Sequence, residues 1–206
     1  GGLREAWRGR SVSSDRSVAL ALEPGLRDIV EELEIYERLL VRWGRTINLV
    51  GNSTLSAIWT RHFMDSAQLA GFAQLGGSWV DLGSGAGFPG LVIALLQRFH
   101  SVGEMHLIES DARKAAFLRE VSRETGARAH VHNARCEDVL PSLQPAVITS
   151  RAMADIGRLV AYAQPFVEKG ALGLFLKGRD VVSELTMFPI PSNFEVVLNP
   201  SKTDPR

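Results

Sequence analysis

An α/β fold is what this sequence predicts: a mostly parallel, Rossmann-like sheet with helices on both faces, behind an N-terminal helical cap. Three observations carry the prediction. From Ser78 onward, short apolar runs alternate with runs of helical period, the signature of βαβ units with right-handed crossovers. Before Ser78 the apolar residues recur only at helical spacing. Between the two regimes, residues 80–90 run from an apolar strand through an acid into a glycine-dense turn and then Pro89. Strand, tight turn and helix N-terminus together form a nucleotide-type cradle.

In chain order, residues 1–23 mix Arg, Ser and Gly with little period and read as a tail, partly helical at most. Residues 24–75 read as the helical cap. Leu26, Ile29, Val30, Leu33, Leu40, Trp43 and Ile47 line one face of a helix starting near Pro24. Gly51, Asn52 and Ser53 break that pattern. Ser53 or Thr54 is placed to cap a second helix carrying Ile58, Met64 and Leu69. Gly76 and Gly77 mark the boundary of a third unit, 76–206. Strands are expected at 79–82, 105–108, 129–132, 146–149, 172–176 and 194–198, and helices at 89–98, 112–124, 156–164 and 181–187. In such sheets ligands bind beyond the carboxyl ends of the strands. The Gly83 turn, Glu109, residues 133–137 and residues 149–151 all follow strands, so they should converge on one crevice.

Composition narrows the class. The 206 residues are 45% hydrophobic and 22% charged, as in an ordinary globular protein with a sizeable core. No apolar run is long enough to cross a membrane, and no secretory leader is expected. A single cysteine, Cys136, excludes an internal disulfide and a cysteine-based metal cluster, so the cytoplasm is the expected compartment and no metal is expected. Lys+Arg and Asp+Glu both number 23, which argues against coating nucleic acid by bulk charge and leaves room for a local basic face. Arg113, Lys114, Arg119, Arg123 and Arg128 crowd the helix after Glu109 and its exit, and acids load the N-terminal part. Either run also reads as a solvated helix face.

The turn itself fits two cofactors. Gly85 to Gly90 matches the dinucleotide fingerprint GxGxxG, and Asp81, Gly83, Gly85 and Gly87 match the S-adenosylmethionine loop. Asp81 favours the second, since a carboxylate can receive the ammonium of a methionine moiety, directly or through water, and would repel a pyrophosphate. Glu109 ends an apolar strand roughly 20 residues past the glycines, the usual offset for an acid that grips both ribose hydroxyls.

Further local patterns line up in order: Asn48-Leu49-Val50, Arg61-His62-Phe63-Met64-Asp65-Ser66, the Asp81 loop, Leu107 to Ser110, Lys114 with Phe117-Leu118-Arg119, Ala134 to Glu137, Ser150-Arg151-Ala152 and Leu176-Lys177-Gly178. As a set, from about Leu26 to the end, they resemble the bacterial 16S rRNA guanine-N7 methyltransferases of the RsmG (GidB) family. The resemblance implies a class I S-adenosylmethionine-dependent methyltransferase whose partner is 16S rRNA within a small-subunit particle. It implies Gly83 and Phe88 in the cofactor loop, Cys136 and Glu137 beside the adenine, Arg151 on the cofactor or the RNA, and Arg135 and Lys177 facing the RNA. The family ends in a two-strand hairpin. Here residues 194–198 supply the first strand and residues 199–206 read as the turn, so the last strand is expected to be missing.

The chemistry implied needs little from the side chains. Guanine N7 offers an in-plane lone pair and requires no general base. No Ser-His-Asp set, HExxH or catalytic-looking cysteine motif is evident. Arg61 and His62 are expected on the second helix, closing over the cofactor and shaping a guanine pocket; an Arg61–Asp65 ion pair and a packed His62 are the plain alternatives. Phe88 reads as a stacking platform or as a wedge, and Lys177 as a solvated strand end or a phosphate contact. Two rival functions share the motif: a nicotinamide-dependent oxidoreductase, and a non-catalytic RNA-binding module with an S-adenosylmethionine pocket.

Overall fold

The computed structural model describes residues 11–203 apart from 152, 179 and 189. In chain order it runs α1 (Ser11–Leu22), a 3-10 turn (Pro24–Ile29), α2 (Val30–Trp43), a 3-10 turn (Asn52–Ala57), a π-helical turn (Trp59–Met64), α3 (Asp65–Ala67), a 3-10 turn (Gln68–Gly71), β1 (Ser78–Leu82), α4 (Gly90–Phe99), β2 (Glu104–Ile108), α5 (Ala112–Thr125), β3 (His130–His132), α6 (Cys136–Val139), a 3-10 turn (Leu140–Ser142), β4 (Val147–Arg151), α7 (Ile156–Val167), β5 (Leu172–Leu176) and α8 (Val181–Met187).

All five strands are parallel, in the order β3-β2-β1-β4-β5. The order turns back on itself at β1, which pairs with β2 on one side and β4 on the other. The crevice beyond its carboxyl end is therefore the topological switch point. Side chains alternate across the sheet with the period of the pleat. Trp79, Met105, Leu107 and Val147 pack on the face shared with α4, α5 and the cap. Val80, Leu82, Ile108 and Ile148 pack on the other face, against Cys136 and Leu140 and Ala163 of α7.

The cap is less regular than the apolar period predicts. Thr54 does not cap a helix: Gly51 takes the N-cap position and Thr54 Oγ1 donates to the Gly51 carbonyl at 2.8 Å. The expected second helix is split into 3-10, π and α turns. Much of the expected tail is helix α1, held because Asp15 accepts from the Trp59 and Thr60 N–H groups at 2.9 and 3.3 Å; residues 1–10 lie outside the described residues. Several cap acids are paired: Glu32 with Arg98, Glu34 with Arg16, and Glu37 with the Trp59 indole N–H at 3.1 Å.

The end of the chain differs from expectation. Residues 194–198 form no strand, because no ladder partner meets them, and Val196, Val197 and Leu198 are exposed. The following turn docks on the cap instead. Ser201 Oγ donates to Asp65 Oδ1 at 2.7 Å, and Lys202 pairs with Glu23 at 2.7 Å. Asp65 thus binds the C-terminal segment, and no ion pair joins it to Arg61 among the described residues. Residues 204–206 lie outside the described residues.

Candidate active site

Four strand ends meet on one cavity of about 560 Å³, inside the range of small-molecule sites. Gly83, Gly85 and Phe88 line it from the β1 turn, Glu109 from β2, Arg135, Cys136 and Glu137 from the segment after β3, and Arg151 from β4. Of the residues singled out in the sequence, Asp81, Arg61, His62 and Lys177 stand outside this lining.

Gly83 explains the shape of the turn. It takes φ +62°, and a Cβ there would stand 2.6 Å from Met153 Sδ and closer still to Cγ. Only glycine combines that backbone with so close an approach. Ser84 N–H donates to the Ile108 carbonyl at 3.0 Å, tying the turn to β2. Glu109 completes the tie. One carboxylate oxygen accepts from the Gly85 N–H and the other from the Asp111 N–H, both at 2.8 Å. A carboxylate has about four lone-pair sites, so Glu109 can brace the turn and still receive a diol. Asp111 then caps α5, accepting from the Arg113 and Lys114 N–H groups.

Asp81 lies deeper than its spacing from the glycines suggests. Strand alternation turns its side chain under the N-terminus of α4, where it is fully buried and outside the cavity lining. Thr149 Oγ1 donates to its Oδ1 at 2.9 Å, and Oδ2 has no hydrogen-bond partner of normal geometry. The first α4 residue is Gly90, whose missing Cβ leaves room for that carboxylate. Burial pushes the Asp81 carboxyl up to about 6, against the lowering pull of the Thr149 and Ser84 hydroxyls, the Gly90 N–H and Arg151. Asp81 supports the turn from beneath, behind the cavity lining.

Phe88 is a wedge. Its ring is 3% exposed, stacked on Tyr36 at 5.2 Å and on His62 at 4.9 Å, with the Arg151 guanidinium 4.9 Å over it. Tyr36 also donates its hydroxyl to the Ala86 carbonyl. Through these contacts the cap grips the cofactor turn. His62 therefore serves Phe88 and Arg151 and does not open into the cavity. Burial, with Arg151 and Arg61 nearby, pushes its imidazole down to about 3. The Arg61 side chain is exposed, while its carbonyl accepts from Arg151 Nη1 at 3.2 Å.

At the other end, burial pushes the Cys136 thiol up to about 11, so it is a packed group and a poor nucleophile. Glu137 accepts from the Tyr162 hydroxyl and from Arg158 Nη2, the latter at 3.1 Å. The Tyr162 hydroxyl, the backbone and Arg158 hold its carboxyl down at about 2. Lys177 lies elsewhere: its ammonium donates to the Ala154 carbonyl at 3.0 Å and pairs with Glu184 at 2.7 Å. It ties the exit of β4 to α8.

Sequence reasoning missed Met153, Arg158 and Tyr162, all of which line the cavity. Arg158 and Tyr162 stand four residues apart on α7 and were legible as a neighbouring pair. Met153 follows β4 and belongs with the strand ends.

The residues fit a nucleoside cofactor: a turn that admits backbone, an acid placed for a diol, and a polar rim at the far end. Sequence comparison gives the family. A family model described as GidB, rRNA small subunit methyltransferase G, matches residues 29–198. Ribosomal RNA small subunit methyltransferase G of Bradyrhizobium sp. strain BTAi1 is 45% identical over 177 residues, covering 85% of this chain and 80% of that protein. The protein of the same name from Rhodospirillum centenum is 49% identical over 181 residues, covering 87% and 81%. That from Parvibaculum lavamentivorans is 44% identical over 181 residues, covering 87% and 80%. The methyltransferase turn, the sheet order and these likenesses agree, and the chain belongs to the GidB family of rRNA small subunit methyltransferases.

Proposed function

We propose that this chain transfers a methyl group from S-adenosylmethionine to N7 of a guanine in 16S rRNA, acting on a small-subunit particle in the cytoplasm. The convergence of the Gly83 turn, Glu109, Glu137 and Arg151 on one cavity carries the reading. Bound S-adenosylmethionine supplies an electrophilic methyl on a sulfonium. The chain's own residues would bind and orient it: Glu109 would receive the ribose hydroxyls, the turn would bring backbone against the nucleoside, and Cys136 with Glu137 would border the adenine.

No proton transfer is asked of the protein, because N7 attacks with a free lone pair. The side chains agree with that. Cys136 is held protonated, His62 is a very weak base whose Nδ1 is already taken by Arg151, and Asp81 lies beneath the turn. Positioning two reactants is worth roughly 7–11 kcal/mol. Drawing a base from its stack costs about a few kcal/mol. Positioning therefore suffices. Phe88 is already covered on its ring, so it holds the turn and the target base must be seated by other groups.

Among the described residues no helix is long and apolar enough to cross a membrane. Calorimetric titration with S-adenosylmethionine and with NADH tests the cofactor. Saturable binding of the first and none of the second is expected; the reverse pattern overturns the reading.

A further inference from the structure

A second cavity, of about 360 Å³, lies on the β3 side of the sheet, apart from the cofactor cavity. Arg119, Arg123 and Arg128 line it, with Ser122, Gly126 and Val131 as its floor and wall. All three arginines are exposed. We propose that this groove binds a backbone phosphate of the RNA strand flanking the target guanine; the inference rests on the rRNA reading above.

Three observations carry it. First, the charge is local. The chain has 23 basic and 23 acidic residues, so three guanidinium groups around one hollow are not the by-product of a basic protein. Among the described residues, the one carboxylate paired with them is Glu124, on Arg123 at 2.6 Å, where the side chains are 72% and 40% exposed. An exposed pair of that kind is weak and yields readily to a better anion.

Second, the end of α5 does not need these arginines. Two of its last carbonyls are satisfied by backbone: Gly126 N–H donates to Arg123 O at 3.3 Å and Ala127 N–H to Ser122 O at 3.0 Å, the two bonds of a Schellman cap. Arg119 makes one long hydrogen bond, 3.4 Å to the Val131 carbonyl. Guanidinium donors are thus left facing the groove, and their fork geometry matches phosphate oxygens.

Third, helix α5 links the groove to the cofactor site. Lys114 and Arg135 line the cofactor cavity. Lys114 and Arg123 share helix α5, nine residues and so about 13 Å apart at 1.5 Å per residue. A single strand entering the cofactor cavity with its target base meets this groove a few nucleotides away. Phosphate binding of this kind fixes register and carries no sequence information.

The test compares the wild-type chain with an Arg119→Gln, Arg123→Gln, Arg128→Gln triple variant, using unmethylated 16S rRNA and small-subunit particles. Lys169→Gln, in the exposed turn before β5 at the opposite sheet edge, serves as a charge control. The triple variant should keep its circular dichroism spectrum and S-adenosylmethionine affinity. Its RNA affinity should fall about tenfold or more, and the slope of log K against log salt should flatten by about 0.7 for each single-strand phosphate that is no longer neutralised. KM for RNA should rise with kcat within about twofold. An unchanged slope and KM, or an equal loss in the Lys169 control, overturns the groove. If instead the wild-type chain transfers no methyl to rRNA, the function reading fails, and the binding slopes still decide the groove.

Discussion

Arg151 and His62 hold each other across the junction of sheet and cap: Arg151 Nη1 donates to His62 Nδ1 at 2.7 Å. A guanidinium only donates, so Nδ1 accepts and the ring proton sits on Nε2, 3.0 Å from Thr54 Oγ1. The imidazole is therefore neutral, which fixes the pH behaviour. Below about pH 6.5 the unfolded imidazole takes a proton that the folded one refuses, so stability is lost as pH falls toward 3. Asp81 acts in the opposite sense. Its folded carboxyl keeps a proton up to about 6 that the unfolded one has released, so stability falls as pH rises from about 4 to about 6. In wild type the two slopes offset. Asp81→Asn should expose the His62 slope, with stability falling more steeply between pH 6 and pH 4 by up to about 1.4 kcal/mol per pH unit. Urea unfolding at several pH values checks this; parallel wild-type and variant profiles would remove the raised Asp81 carboxyl from the account, and a variant profile flat between pH 6 and pH 4 would remove the neutral His62.

Gly83→Ala should weaken S-adenosylmethionine binding by at least about tenfold. The added methyl overlaps Met153 and the backbone is left-handed at φ +62°. Gly83→Ala with Met153→Ala should recover only part of the loss, because the second change relieves the overlap and not the backbone. Calorimetry on both variants measures it, and wild-type affinity in Gly83→Ala would disqualify this turn.

Glu109→Ala should lower S-adenosylmethionine affinity and leave RNA affinity unaltered. It should also destabilise the fold by about 1–3 kcal/mol, since two backbone N–H groups lose their acceptor. The stability loss alone, with the cofactor dissociation constant unmoved, would reduce Glu109 to a brace.

How far the sequence carried is visible in such residues. The convergence of strand ends followed from alternation and topology alone, and Gly83, Glu109, Glu137 and Arg151 do line one cavity. Asp81 could not be placed that way. Its face depends on the strand's register, and spacing from the glycines does not report the pleat. The grip of Tyr36 and His62 on Phe88 was hidden for a different reason: ring stacking between residues up to 52 positions apart leaves no local pattern. The broken second cap helix and the unpaired residues 194–198 are tertiary outcomes too, since period and propensity do not say which partner is at hand.

Arg135 and Lys177 separate on the same grounds. Arg135 is exposed at the cavity mouth, so Arg135→Ala should weaken RNA binding and flatten its salt dependence. Lys177 is half-buried and held by Glu184 and the Ala154 carbonyl, so Lys177→Met should lower the melting temperature and leave the RNA salt slope as it is. Filter binding over a salt series, with thermal melts alongside, reads both. A flattened slope in Lys177→Met would return that residue to the RNA surface.

The central claim is methyl transfer to guanine N7 without a general base. It is tested most directly by incubating the chain with isotopically labelled S-adenosylmethionine and small-subunit particles from cells lacking this modification, then mapping the label by mass spectrometry of nuclease fragments. The account predicts one labelled 7-methylguanine in 16S rRNA. Label on a carbon, an exocyclic amine or a ribose, or no label at all, would contradict it.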